Sequence, residues 1–502
     1  LALSVLLSIL AVTATLYYSP IISVDSSLYL LTSQVYASQG FKAMLTGVNW
    51  PFYPLLIHYT HVITGLSSLH SAYLQNYLYF IVSVLAFLGI VRRLGGELRH
   101  VIWALFAIMS FRYFIKINAG TIRDTGYLCF YLLSLYHFIR FAGKQTWCRG
   151  VVWIVCMVIA TLYRIEGVVI LALSPFAALF FEAKSVRARF LAWFKLVWPG
   201  FVLFLFLIIA SCLSHAFFLL ASDKFMDSVV PMYGNQAVQN FQNAVHTIAT
   251  QSVVDTSFAG AAPWVLVFGL IGAYIAYLVM TLGVGKTLAV IYLKRAGAQF
   301  HHNQKWALGF YIVPYLLFTL FYVFMLRFLD SRYLLGLSLA LLTLVPFSLV
   351  KMFTRWKTLP KWHFKNGLFP LVMLFMCLSI LSTFCHIGPS KRYMLRAAKW
   401  LNTHTQKEAV IVTQGTKLAY YVDRSVVGWR CHVAQIGGVF QQSPCFTLNS
   451  ATNLPSSYQY IVYDVKNKKA LAAIDMKMHN QKPIKVFKSN RSREMLIYQH
   501  DA

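Results

Sequence analysis

Acidic side chains are what this sequence has least of: 15 Asp and Glu stand against 44 Lys and Arg in 502 residues, and charged residues of both signs make up only 12%. So few charges exclude an ordinary soluble enzyme, whose surface would need more of them. A mean hydropathy of +0.61 and an apolar share of 58% point instead to a chain that crosses a bilayer many times. Cysteine is sparse and scattered. Cys129, Cys156, Cys212 and Cys377 fall within apolar runs, where a thiol packs as a small hydrophobe, and no spacing suits a metal. Only Cys431 and Cys445 share a polar region, where a disulfide can form if that region is extracytoplasmic. The net charge of +29 is not a nucleic-acid signal. Its basic residues lie in short segments between apolar runs and in the tail, where they set topology and meet anionic lipid.

Apolar runs of bilayer length, about 20 helical residues, predict eleven spans at about 1–19, 76–92, 100–113, 125–141, 151–164, 166–181, 196–221, 263–282, 307–326, 332–350 and 370–386. The first run is long and lacks a small-residue cleavage site, so it reads as a membrane helix rather than a signal peptide. With the N-terminus inside, Arg92, Arg93, Arg99, Arg140, Lys144, Arg149, Lys184, Lys286, Lys294, Arg295 and Lys351 all face the cytoplasm, as the positive-inside tendency requires. The C-terminus is then extracytoplasmic. Trp147, Trp153, Trp198 and Trp264 at span ends read as interface anchors.

The expected architecture is a polytopic α-helical membrane domain, residues 1–386, followed by a small extracytoplasmic α/β domain, residues 387–502. Within the membrane part, residues 20–75 form an outer loop too apolar to be a linker. Leu28, Leu31 and Val35 recur at helical spacing, and Trp50-Pro51-Phe52-Tyr53-Pro54-Leu55-Leu56 begins a second apolar face, so two interfacial helices are predicted. A second outer loop, 222–262, is polar and carries Asp223, Asp227 and Asp255. In the tail, 391–402 has helical periodicity, and 409–413, 458–465, 483–488 and 494–499 read as strands.

A charged side chain inside a span costs about 2.5–3.5 kcal/mol on insertion scales, so those retained are functional suspects. Asp25, Arg112, Lys116, Arg123, Asp124, Arg164, Glu166, Arg327, Asp330 and Arg332 all fall at outer helix ends in this topology. One account is interfacial ion pairing between sequence neighbours: Arg123 with Asp124, Arg164 with Glu166, Asp330 with Arg332. The other is recognition of an anionic headgroup. Arg and Lys at an outer surface suit a lipid phosphate, and a carboxylate among them can deprotonate a hydroxyl or organise a cation.

Val24-Asp25-Ser26-Ser27-Leu28-Tyr29, followed by the Trp50–Leu56 segment, resembles the first outer loop of the GT-C glycosyltransferases. The likeness is to their protein O-mannosyltransferase and aminoarabinose-transferase branch. Arg123-Asp124-Thr125-Gly126-Tyr127, Tyr163-Arg164-Ile165-Glu166-Gly167 and Ser331-Arg332-Tyr333-Leu334-Leu335 are similar to further signatures of that family. The resemblance implies a membrane glycosyltransferase that uses a polyprenyl-phosphate sugar donor and an extracytoplasmic lipid, glycan or protein acceptor. It implies Asp25 as base or orienting carboxylate, and Arg332, Arg123, Arg164 and Lys116 around the donor phosphate. Asp124, Glu166, Tyr29, Tyr53, His58 and Tyr333 would support these groups or bind acceptor. No nucleotide-sugar domain is expected, and the implied setting is a bacterial inner membrane with the site on the periplasmic face. Ser26 stands where the family often has a second acid, and Ile165 where it often has Pro. The alternative is a transporter or flippase of a lipid-linked glycan, since intramembrane charges also mark substrate pathways.

Three other signals carry less. His58 and His61 have metal-ligand spacing, but water or headgroups satisfy interfacial histidines equally well, so a divalent cation has no ligand set here. Gly283-Val284-Gly285-Lys286-Thr287 is shaped like part of a phosphate loop, yet Met280 replaces the first glycine and a membrane span, not a strand, precedes it. Asn490-Arg491-Ser492 is a glycosylation sequon of little information.

Overall fold

The structure is a computed structural model that describes residues 1–18, 21–47, 50–183, 185–214, 235–252, 260–296, 300–327, 329–358, 367–384, 392–413, 416–422, 425–428, 434–436, 439–441, 459–465, 481–489 and 493–499. The expectations for Asp223, Asp227, Asp255, Lys184, the Cys431–Cys445 pair and the sequon lie outside the described residues. The chain divides into two compact units. One comprises Leu1–Ala11, Leu78–Ile117 and Asp124–Thr383; the other comprises Val12–Tyr77, Asn118–Arg123 and Phe384–Ala502. The contacts thus group residues 12–77 with the tail, whereas the sequence boundary at 386 assigns them to the membrane part.

The first unit is helical throughout. Its elements include α4 (Ser68–Arg93, from Leu78 onward), α5 (Leu98–Met109), α6 (Arg112–Ala119), α7 (Asp124–Gly143), α8 (Trp147–Tyr163), α9 (Gly167–Leu173) and α10 (Val186–Ser214). After α11 (Asn235–Thr247) come α12 (Ala262–Leu282), α13 (Val284–Ala296), α14 (His302–Leu326), α15 (Leu335–Leu342), α16 (Val345–Thr358) and α17 (Leu368–Phe384). Helix α7 is buried on nearly every face, as an apolar helix at the centre of a bundle must be. Side-chain hydrogen bonds tie it to its neighbours: Trp153 Nε1 donates to the Tyr311 hydroxyl at 2.6 Å, which in turn donates to Ser134 at 3.0 Å. Trp153 is therefore a fully buried strut rather than an interface anchor. Trp147, Trp198 and Trp264 remain exposed.

Among the described residues three helices are long and apolar enough to cross a membrane: Ser68–Arg93, Ala262–Leu282 and His302–Met325. Two bent pairs raise this to five, Leu98–Met109 with Arg112–Asn118 at 65° and Ser331–Leu342 with Val345–Thr358 at 51°. These helices make the chain an integral membrane protein; the count of eleven spans read from hydropathy is not established among the described residues. Helices of 10–17 residues at Ala2–Tyr17, Trp147–Tyr163, Gly167–Phe180 and Leu368–Thr383 fall short of the required length. A hydropathy window registers an apolar run and is blind to a break inside it.

In the second unit, α2 (Val24–Gly47) packs on α3 (Phe52–Thr64). Ser23 and Ser26 cap the start of α2 reciprocally, with Ser26 N–H donating to Ser23 Oγ at 3.0 Å and Ser23 N–H to Ser26 Oγ at 3.3 Å. The tail of this unit forms a seven-stranded sheet in the order β4-β3-β2-β1-β5-β7-β6. Its strands are β1 (Val410–Thr413), β2 (Ser425–Gly428), β3 (Ala434–Ile436), β4 (Val439–Gln441), β5 (Tyr460–Val465), β6 (Lys485–Lys488) and β7 (Glu494–Gln499). Strand β1 runs parallel to β2 and β5, and the other pairs are antiparallel. Helix α18 (Arg392–His404) lays Tyr393, Met394, Ala397 and Leu401 on Ile411, Val462 and Ile497, with Ile21 joining the same core. Four strands and this helix match the sequence reading, while β2 to β4 do not appear in it.

Candidate active site

The three arginine-bearing motifs meet in the first unit. Arg164 ends α8 and is 4% exposed, and its guanidinium is ion-paired with Asp124 at the start of α7 and with Glu166 two residues on. Nε of Arg164 lies 3.2 Å from both Glu166 oxygens, so the planar fork is engaged by two carboxylates at once. Asp124 thus pairs with Arg164, from 40 residues away, and not with its neighbour Arg123 as the sequence suggested. The predicted Arg164–Glu166 and Asp330–Arg332 pairs do form.

Aromatic rings hold the guanidinium in place. Arg164 lies 4.8 Å over the Tyr333 ring and 5.9 Å from that of Tyr127, distances at which a cation is attracted to a π face. Arg332 approaches the same Tyr333 at 5.5 Å. Tyr333 therefore stands between a buried, doubly paired arginine and a half-exposed one. Arg332 is anchored by Asp330, which accepts from its backbone N–H at 3.2 Å and lies 3.6 Å from its Nε. The residues 331–334 form a 3-10 turn that leads into α15.

Small residues make this convergence possible. A Cβ on Gly126, within the first motif, would come within 2.2 Å of the Tyr163 ring; one on Gly336, just after the third, would come within 2.6 Å of Tyr315. Tyr163 hydrogen-bonds Tyr79 at 2.6 Å, and Tyr127 bonds Tyr315 at 3.5 Å. The hydroxyls and rings around Arg164 thus come from α4, α7, α8 and α14.

Lys116 lies exposed on α6. In the second unit, Arg123 is half-buried just ahead of α7, and Asp25 occupies the first turn of α2, half-exposed, where the helix dipole favours a negative charge. Tyr29 is buried and packs edge-on against Tyr53 at 5.4 Å; His58 packs against Tyr36 at 4.8 Å. His61 bonds the Leu66 carbonyl. Among the described residues no three His, Cys, Asp or Glu come together to hold a metal.

No family model and no curated protein matches the sequence. Solved structures do match. ArnT from Cupriavidus metallidurans in the apo state aligns with a TM-score of 0.56 at 13% identity, covering 99% of this chain and 97% of that one. The same protein bound to undecaprenyl phosphate aligns with a TM-score of 0.53 at 12% identity. An oligosaccharyltransferase from Archaeoglobus fulgidus in the apo form aligns with a TM-score of 0.52 at 12% identity, covering 92% of this chain and 69% of that one. At such low identity the likeness speaks for the fold alone: this chain shares the fold of ArnT and of the oligosaccharyltransferase.

Proposed function

We propose that the protein is a membrane glycosyltransferase that moves a sugar from a polyprenyl-phosphate donor to an extracytoplasmic acceptor, at the outer face of a bacterial inner membrane. The observation that carries this reading is the Tyr333 platform, which presents Arg332 beside a rigid, charge-compensated Arg164. Structures of the same fold hold undecaprenyl phosphate in one case and a dolichol-phosphate in another.

In the proposed reaction an acceptor oxygen attacks the anomeric carbon of the donor sugar. The carbon–oxygen bond to the lipid phosphate breaks, and its electron pair stays on the phosphate oxygen. Arg332 stabilises the negative charge that develops there, and the family resemblance adds Arg123 and Lys116 to this role. If the acceptor is a hydroxyl, its proton passes to the Asp25 carboxylate; an acceptor that is already anionic needs no base, and Asp25 then orients it. Arg164 takes a different part from that implied by the family resemblance. Two carboxylates already answer its charge, so it positions Asp124, Glu166 and Tyr333 and is not itself the phosphate ligand.

Transfer of a radiolabelled sugar from a polyprenyl-phosphate donor, measured in proteoliposomes, tests the reading. Asp25→Asn is expected to lower turnover about 10²–10⁴-fold, the usual weight of a general base, and normal turnover would remove Asp25 from the mechanism. Loss of one charge-assisted contact costs about 1.5–3 kcal/mol, so Arg332→Ala should weaken donor binding about tenfold or more. The two bent helix pairs favour a second reading, movement of a lipid-linked glycan across the bilayer. Translocation of a labelled lipid-linked glycan without any sugar transfer would select it.

A further inference from the structure

A second group of cations lies in the same unit, away from the three motifs. Helix α12 stops at Gly283, whose φ of 90° turns the chain, and α13 restarts at once with Val284. The bend between α5 and α6 falls beside this break, with the Ser110 carbonyl accepting from Ser379 of α17 at 2.7 Å. Between them is a cavity of about 230 Å³, lined by Arg112, Thr281, Gly283, Lys286 and Ser379 among others. A water fills about 30 Å³, so the space admits a polar headgroup.

Lys286 is 2% exposed, and among the described residues it forms no ion pair with a carboxylate. The described carboxylates of this unit are all engaged elsewhere: Glu97 with Arg99, Asp124 and Glu166 with Arg164, Glu182 with His302, and Asp330 with Arg332. Its ammonium lies 5.9 Å from the Phe111 ring and close to Gly283 at the end of α12, where a Cβ would come within 3.3 Å of it. The buried hydroxyl of Thr281 has no hydrogen-bond partner. The amino end of the 13-residue helix α13 adds its partial positive charge and first-turn N–H groups. The amino end of α13 favours an anion, while the carboxyl end of α12 at the same break opposes one. An unpaired buried ammonium would otherwise carry a desolvation penalty of several kcal/mol.

The sequence reading placed Arg112 on the outer face and Lys286 on the inner one, yet both line this one cavity. The reason is helix length. At 1.5 Å per residue the 12 residues of α5 reach about 18 Å from their basic end and the 13 of α13 about 20 Å. Ser379, eleven residues into α17 from Leu368, lies about 17 Å from its start. All three meet near half the thickness of a hydrocarbon core of about 30 Å. The flank is apolar: Met280 lines the cavity and is 64% exposed, and Leu378 and Leu381 beside Ser379 and Ser382 are 49% and 58% exposed. The mouth therefore faces lipid chains.

We propose that this cavity is a second anion site, which takes the phosphate of a lipid monophosphate entering laterally from the bilayer. Two cations without a carboxylate match the near-dianionic charge of a phosphate monoester at neutral pH; a diester or a carboxylate would leave one cation unanswered. The site does not use Arg332, but Arg112 lies one helical turn from Lys116 and the ligand is of the same class as the lipid phosphate released in the proposed transfer, so the site rests in part on that reading.

Binding of phosphatidic acid, phosphatidylglycerol and inorganic phosphate to the purified full chain in detergent, read by native mass spectrometry, tests it. The wild type is expected to hold phosphatidic acid at least tenfold more tightly than phosphatidylglycerol. Lys286→Met and Arg112→Gln should each weaken that binding about tenfold, and Arg332→Ala should leave it unchanged. Thermal unfolding guards against a folding artefact: without added anion Lys286→Met should melt higher than wild type, and phosphatidic acid should stabilise wild type alone. Equal retention by wild type and Lys286→Met, or a loss seen only in Arg332→Ala, would overturn the proposal. Tight, Lys286-dependent binding of inorganic phosphate that displaces phosphatidic acid would overturn the lipid source and assign the site to free phosphate.

Discussion

Arg164 and Lys286 are both buried cations of one helical unit, and they are built in opposite ways. Around Arg164 the fold assembles two carboxylates and two aromatic faces from separate helices. Around Lys286 it assembles a second cation, an unpartnered hydroxyl and a helix amino end. A cation whose charge is answered inside the protein is a fixed part of the scaffold. One whose charge no carboxylate answers carries a desolvation cost that a bound anion, or loss of its proton, relieves.

Removal of each charge should therefore move stability in opposite directions. The largest effect expected is that of Arg164→Met, which strands two buried carboxylates and should cost about 3–5 kcal/mol, measured by thermal or denaturant unfolding in detergent. Adding Asp124→Asn and Glu166→Gln to it should recover most of the loss; no recovery would mean that the guanidinium acts through packing rather than charge. Lys286→Met has no stranded partner and should gain stability, so a loss there would break the contrast. A smaller effect is expected where only shape is at stake. Gly336→Ala forces a methyl group against Tyr315 and should cost about 1–3 kcal/mol, as overpacking does, with donor binding weakened through the displaced Tyr333 turn.

The least effect is expected in the tail, where a neutral donor meets a carboxylate. The Tyr393 hydroxyl donates to Asp464 at 2.8 Å, and burial together with the Asp464 charge raises its pKa well above the usual 10.0. A raised phenol pKa means that the folded state holds its proton longer than the unfolded chain does. The resulting stability is complete below pH 10 and is lost as the pH climbs above it. Tyr393→Phe should flatten that alkaline loss, by about 1 kcal/mol, in a pH series of melting curves that follows the tail's near-ultraviolet signal.

The candidate site was legible in part. Arg164-Ile165-Glu166 and Asp330-Ser331-Arg332 are local enough for opposite charges to announce their pairing, and both pairs form. Asp124 could not announce its partner, because α7 and α8 bring Arg164 to it across 40 residues. The phosphate-loop fragment at Gly283 lacks the strand that precedes a true phosphate loop. Its lysine nonetheless lies buried at a helix start, a property of neighbours contributed by α5 and α17.

Hydropathy and charge alone determined that the chain is a helical membrane protein with few acids and a sheet-bearing tail, because apolar runs and period-two strands are local properties of sequence. Only the tertiary structure decided where the helices break, and with that which cations are paired and which are not. A break depends on what packs against it, and a buried charge depends on partners that the chain delivers from far away.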